Sequence, residues 1–201
     1  IQAKMIDSDV FNRFLYALFF PVGYKVADLL LDRKRPNLVW RFLYFLAYWA
    51  IFRELKDKIG LSKVRRAYSA GSVISPDMVR FFKAIGVTIR SIYGGSEITI
   101  ATIPRGKEVS LETSGSPLEG DELRITKSGE ILCRGKTLFS GYYKDPALTE
   151  KQVKNGWFYS GDFGHITEDG QIICMDRTDD LRELKGGKKF SPQYAETRLR
   201  F

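Results

Sequence analysis

The run "IYGGSEITI" at residues 92 to 100 sets a serine hydroxyl and a glutamate carboxylate directly behind a glycine pair. Gly94 and Gly95 let a backbone turn sharply or approach something closely. Ser96 then offers a hydrogen-bond donor, and Glu97 a hard oxygen of the kind divalent cations take. Taken alone, the same residues also read as a surface turn. Two later stretches carry comparable polar groups: "GWFYSGD" at 156 to 162 and "DRTDDLRELKGGKKFSP" at 176 to 192.

The elements around these stretches set their position. "VRRAYSAGS" reads as a short strand entering a turn. "SPDMVRFFKAIG" reads as a helix with Ser75 as N-cap, Pro76 in the first turn and Gly86 just past the end. "VTIRSIY" is a β-branched strand, and the strand–helix–strand order suggests a right-handed parallel unit. Ligands in such α/β sheets sit beyond the carboxyl ends of strands, where Gly71 and the 93–97 stretch fall. Beyond residue 110, "ELRITKSGEILCRG" and "GHITEDGQIICMDR" alternate around Ser128-Gly129 and Asp169-Gly170, as hairpins of a small β subdomain do.

The front third differs. Residues 1 to 66 hold 13 Lys/Arg against 6 Asp/Glu, and 13 of the 27 aromatic residues. Residues 9 to 58 read as helices broken near Pro21-Val22-Gly23 and at Arg35-Pro36-Asn37. The run from Leu38 to Gly60 is apolar almost all round, which points to burial against a partner surface, with a membrane-surface role as the alternative. The longest uncharged runs of the front third, Phe14 to Tyr24 and Phe42 to Phe52 at 11 residues each, fall short of the roughly 20 a spanning helix needs. No signal peptide is evident. Cys133 and Cys174 lie in strand-like sequence as buried thiols, so a reducing cytoplasm is the expected setting. Trp157 reads as packing, and His165, the only histidine, as structural.

Three ordered motifs spread over about a hundred residues resemble the adenylate-forming (AMP-binding) ligase superfamily. With the basic helical front leading into "RRAYSAG", the branch most similar is that of the long-chain fatty acyl-CoA synthetases. The resemblance implies an α/β fold: residues 1–178 as a partial N-terminal adenylate-binding domain (1–66 basic, aromatic and helical; 67–110 α/β; 111–178 β subdomain), and 179–201 as hinge and start of the C-terminal domain. It implies attack of a carboxylic acid on ATP to give acyl-AMP and pyrophosphate, then capture by coenzyme A.

By the same resemblance, Tyr93 would lie against adenine, with Gly71, Gly94 and Gly95 allowing backbone approach. Ser96, where the family usually has threonine, would bond the α-phosphate, and Glu97 would hold Mg2+. Asp162 would accept from the ribose hydroxyls and Arg177 would reach ribose and phosphate. Asp179 would be the hinge about which the small domain turns. Lys185, Gly186 and Gly187 would form a loop near coenzyme A, with Lys185, Lys188 and Lys189 meeting its phosphates or standing as a solvated charge run.

A phosphate-cradling Ser/Thr/Gly-rich loop and the C-terminal lysine are not among these residues, and the sequence opens on Ile1. The expectation is an internal piece of a larger enzyme, inactive alone. Ligases of aryl, short-chain or amino acids in the same superfamily, and a non-catalytic nucleotide- or membrane-binding module, are the alternatives. Expected partners are ATP or AMP, a fatty acid, coenzyme A and a membrane surface, with oligomers possible. Nucleic acid is not expected, because the basic residues lie among apolar ones.

Overall fold

The computed structural model describes residues 10–71, 74–105, 110, 112–184 and 189–199. The chain divides into two units, Ile1–Ala67 with Pro76–Ile89, and Tyr68–Ser75 with Arg90–Phe201.

The first unit is helical. Helix α1 (Val10–Leu31) buries Phe20, Gly23, Val26 and Ala27. Helix α2 (Leu38–Ala47), capped by the Asn37 side chain on the Trp40 amide, runs through one wide turn at Tyr48–Phe52 into α3 (Arg53–Lys58). In that turn the Arg53 amide donates to the Tyr48 carbonyl, five residues back. Helix α4 (Pro76–Ala84) follows strand β1 (Ala67–Ser69) and precedes β2 (Ile89–Ser91), and β1 pairs with β2. Phe20 lies among the rings of Tyr16, Phe52 and Phe81, at centroid distances of 3.9, 5.4 and 5.8 Å. Gly23 must be bare, since a Cβ there would stand 2.7 Å from the Phe52 ring. Arg80 closes the unit with a two-pronged pair to Asp28, at 2.6 and 2.8 Å.

Three expectations about this front third change. Pro21 does not break α1. It lies on the exposed face with Ala17, whose carbonyl would have met the missing amide, so the loss falls on the solvent side while the buried face holds the helix together. Continuous at 22 residues, α1 is long and apolar enough to cross a membrane by length and composition. One side packs into this unit around Phe20, with Asp28 paired to Arg80, while 22% of its apolar window is buried and Val10, Phe11, Phe14 and Leu18 stand exposed. The run from Leu38 is not buried all round in the described chain. Only the side carrying Ala47, Ile51, Phe52 and Leu55 is buried, while Leu38, Phe42, Phe45 and Trp49 are more than half exposed.

The second unit is built of hairpins. The expected strand "VTIRSIY" is two strands in two sheets: at Ile92, whose amide donates to the Ser69 carbonyl, the chain leaves β2 and begins β3 (Tyr93–Gly95). Strand β3 pairs antiparallel with β4 (Thr99–Ile103), and β4 with β5 (Ser116–Pro117). A second sheet has the order β10 (Ile172–Arg177), β9 (Trp157–Ile166), β7 (Glu130–Arg134), β6 (Glu122–Ile125), all antiparallel, with the short β8 (Val153–Lys154) also on β9. The two expected hairpins, β6–β7 and β9–β10, are both present. Helix α5 (Pro146–Gln152), capped by Asp145 on the Leu148 amide, was not expected although Asp-Pro is a start signal. After a short helical turn at Thr178–Asp180 come β11 (Arg182–Glu183), β12 (Lys189–Phe190) and α6 (Pro192–Leu199). Tyr93, Ile98, Ala101, Ile131, Cys133, Phe158 and Ile172 form the core.

Candidate functional site

Alternation along β9 turns Trp157 and Tyr159 to one face and Phe158, Ser160 and Asp162 to the other. Asp162 stands opposite Arg177 in the β9–β10 register. Its Oδ1 accepts from Arg177 Nη1 at 2.8 Å and its Oδ2 from the Tyr93 hydroxyl at 2.7 Å. The Asp162 amide donates to Ser160 Oγ at 3.0 Å, and Ser160 Oγ donates to the Ile131 carbonyl at 2.7 Å. The Asp162 side chain is 16% exposed and that of Arg177 62%. The carboxylate is therefore held from two other strands, β3 through Tyr93 and β10 through Arg177, while the guanidinium reaches solvent.

These residues line a cleft of about 220 Å³ within the second unit. Of the residues singled out in the sequence, Gly71, Tyr93, Gly94, Gly95, Glu97, Asp162 and Arg177 are in its lining. Ser96 is not: it stands exposed at the tip of the β3–β4 hairpin, between Gly95 and Glu97. Asp179 lies exposed in the turn after β10. Lys185, Gly186, Gly187 and Lys188 lie outside the described residues, and of Lys189 only the backbone, in β12, is described. Gly94 is bare first for the hairpin's own sake, because a Cβ there would collide with the Thr99 carbonyl.

The cleft holds other polar groups the sequence did not announce. Ser91 and Ser114 hydroxyls lie 3.1 Å apart in it. Asp176, 6% exposed, accepts from Ser191 at 2.6 Å, and Ser191 also receives the Tyr194 amide at the start of α6. A β-bulge between Cys174 and Asp176 turns that carboxylate inward, which simple alternation does not foresee. Ser160 was findable, two residues before Asp162 on the same strand face. Tyr142, whose hydroxyl donates to Glu97 Oε1 at 2.8 Å, was not, lying 45 residues away in sequence.

The electrostatics follow from burial. The Tyr93 phenol is raised far above its ordinary value, by burial first and then by the Asp162 charge. Burial and Asp162 also push the Cys133 and Cys174 thiols up to about 12. The Arg177 guanidinium is raised by its hydrogen bond to Asp162. The Tyr142 hydroxyl is raised by burial and by Glu97. Cys133 is a buried thiol, as expected, whereas Cys174 is half-buried and stands in the cleft lining. Trp157 is packing as well, flanked by Arg124 and Arg134 at 4.4 and 4.6 Å, and His165 is exposed on β9. Among the described residues no group of three or more His, Cys, Asp or Glu is placed to hold a metal. Glu97 Oε2 has no hydrogen bond among the described residues, and Glu97 shares the cleft lining with a second glutamate, Glu112.

Residues 25–143 match the family described as AMP-binding enzyme. The chain belongs to that family. Its α/β architecture is that of the adenylate-forming ligases. Long-chain-fatty-acid–CoA ligase FadD15 of Mycobacterium bovis is 32% identical over 170 residues, 84% of this chain and 28% of that protein. The 2-succinylbenzoate–CoA ligase of a Geobacillus species is 36% identical over 129 residues, 58% of this chain and 26% of that one. Among solved structures, the anthranilate CoA ligase AuaEII in complex with anthranoyl-AMP is similar with a TM-score of 0.62 and 26% identity, over 68% of this chain and 29% of that one. The chain thus spans between a quarter and a third of the length of these relatives.

Proposed function

We propose that this AMP-binding chain is the part of an ATP-dependent long-chain fatty acid–CoA ligase that grips the nucleotide. The acid and ATP give acyl-AMP and pyrophosphate, and coenzyme A then gives acyl-CoA and AMP. The observation that carries this reading is Asp162, held between Tyr93 and Arg177 on the wall of the cleft. Each of its oxygens accepts one bond from the protein, and a carboxylate has about four lone-pair sites, so both keep capacity for a ribose diol. Arg177, anchored through Nη1 to Asp162 and the Ser160 carbonyl, keeps its other nitrogens for a ribose or phosphate oxygen. Tyr93, 6% exposed in the cleft wall, offers no free hydroxyl, because it donates to Asp162. Ser96 would bond an α-phosphate lying over the hairpin tip, and Asp179 would be the hinge.

The donor set fits Mg2+, which takes one or two carboxylates and completes its shell with water and phosphate. Glu97 would hold it, and the ion would offset the charge on departing pyrophosphate. The long-chain assignment is supported by the 32% identity to FadD15 over most of this chain. The 36% identity to the 2-succinylbenzoate ligase favours an aryl acid as the second reading. Acid-dependent exchange of pyrophosphate into ATP, measured on the intact protein with acids of graded length, separates the two. Exchange greatest with long-chain acids is expected, and exchange greatest with aryl acids overturns the long-chain reading. For setting we propose the cytoplasm with peripheral membrane contact, supported by exposed Phe42, Phe45 and Trp49 beside Arg41 and Arg53. Co-sedimentation with anionic vesicles that fades as salt rises is the expected result.

A further inference from the structure

Glu97 sits in a turn to which another loop is hydrogen-bonded. The Phe139 amide donates to the Glu97 carbonyl at 2.7 Å, and the Thr99 hydroxyl donates to the Thr137 carbonyl at 3.2 Å. The same loop carries Tyr142, whose ring meets Phe139 edge-on at 4.8 Å. The Tyr142 amide donates to Thr149 Oγ1 at 2.9 Å, and Thr149 belongs to α5, which Asp145 caps. Backbone, ring and hydroxyl of Tyr142 are therefore each held. Its hydroxyl then donates to Glu97 Oε1 at 2.8 Å, while Glu97 Oε2 lies 3.7 Å from where a Cβ on Gly95 would stand, and both Glu97 and Gly95 line the cleft.

We infer that Tyr142 is a positioning residue for Glu97: its hydroxyl pins Oε1 so that Oε2 is presented to a cation brought in on nucleotide phosphate. The inference rests on the proposed role of Glu97. A glutamate has three rotatable side-chain bonds, and one fixed oxygen removes most of that freedom before the ligand arrives. Partners that orient a metal-binding carboxylate typically govern affinity by about 10- to 100-fold. They do so without touching metal or substrate.

The test is calorimetric, on the intact protein and without acid substrate, so that nothing turns over. ATP binding is titrated at a series of Mg2+ concentrations for wild type, Tyr142→Phe, Glu97→Gln and the double variant, with AMP binding in chelator as the measure of an intact cleft. Y142F is expected to raise the Mg2+ concentration needed for half-maximal enhancement by about tenfold, to leave AMP binding unchanged, and to add nothing on the E97Q background. Equal Mg2+ dependence in Y142F and wild type overturns the inference when E97Q shifts it. If E97Q shifts nothing, the role of Glu97 itself falls. Should Y142F lose AMP binding, Thr149→Val, which loosens the Tyr142 backbone and keeps its hydroxyl, is read by the same criterion, and an unshifted Mg2+ dependence there overturns the inference.

Discussion

The two units use side chains in opposite ways. In the helical unit, aromatic rings fill the interior around Phe20 and Phe52, and most cations lie outside, with Asp28–Arg80 as a half-exposed pair. In the hairpin unit the cleft wall is a web of polar groups, Tyr93 to Asp162 to Arg177 and Ser160 to Ile131, over a thinner apolar core. Packing makes the first unit a scaffold whose parts are interchangeable by volume. Register sets the polar wall of the second, because a one-residue slip between β9 and β10 would part Asp162 from Arg177.

The difference predicts where each unit breaks. Phe52, wholly buried among Phe20, Tyr44 and Gly23, is the costliest single truncation: Phe52→Ala should lower stability by about 3–5 kcal/mol. Chemical denaturation measures it. AMP affinity of the molecules still folded should hold, since no residue of the helical unit lines the cleft. Next come the thiols of the hairpin unit. With Cys133 and Cys174 raised from 9.0 to about 12, native protein at pH 8 should react with an aromatic disulfide roughly a thousandfold more slowly than unfolded protein. The sign for stability follows. The neutral thiols and the Tyr93 phenol are favoured in the folded state, so their contribution is complete below pH 9 and is lost as pH climbs from there towards 12. Thermal unfolding across that range should show a steady fall.

Smaller effects follow. Gly94→Ala drives a methyl into the Thr99 carbonyl and should cost about 1–3 kcal/mol, with weaker AMP binding as β3 shifts. The contrast with Phe52→Ala is that here both stability and affinity move. Least of all, Arg134→Ala removes a surface pair to Glu122 and one of two cations beside Trp157, and should change stability by less than about 1 kcal/mol.

What the sequence made legible was local. The Ser128-Gly129 and Asp169-Gly170 turns announce their hairpins, and Gly86 ends α4 as its position suggests, its amide on the Lys83 carbonyl and that of Val87 on Phe82. The family motifs brought seven of the named residues to one cleft. Pairings between distant segments were not legible. Nothing near Tyr142 points to Glu97, and nothing near Ser191 points to Asp176, because each bond depends on how loops pack after the strands are in place. Pro21 misled for a related reason: a proline's cost depends on which helix face it occupies, and that face is set by the core opposite it.

The most direct test of the central claim, that the Tyr93–Asp162–Arg177 web is a nucleotide grip, is calorimetric titration of the folded protein with AMP, repeated on Asp162→Ala. Saturable binding that weakens by about 10- to 100-fold in the variant is the predicted result, the loss of charged hydrogen bonds to a diol. Equal affinity in the two proteins would contradict it.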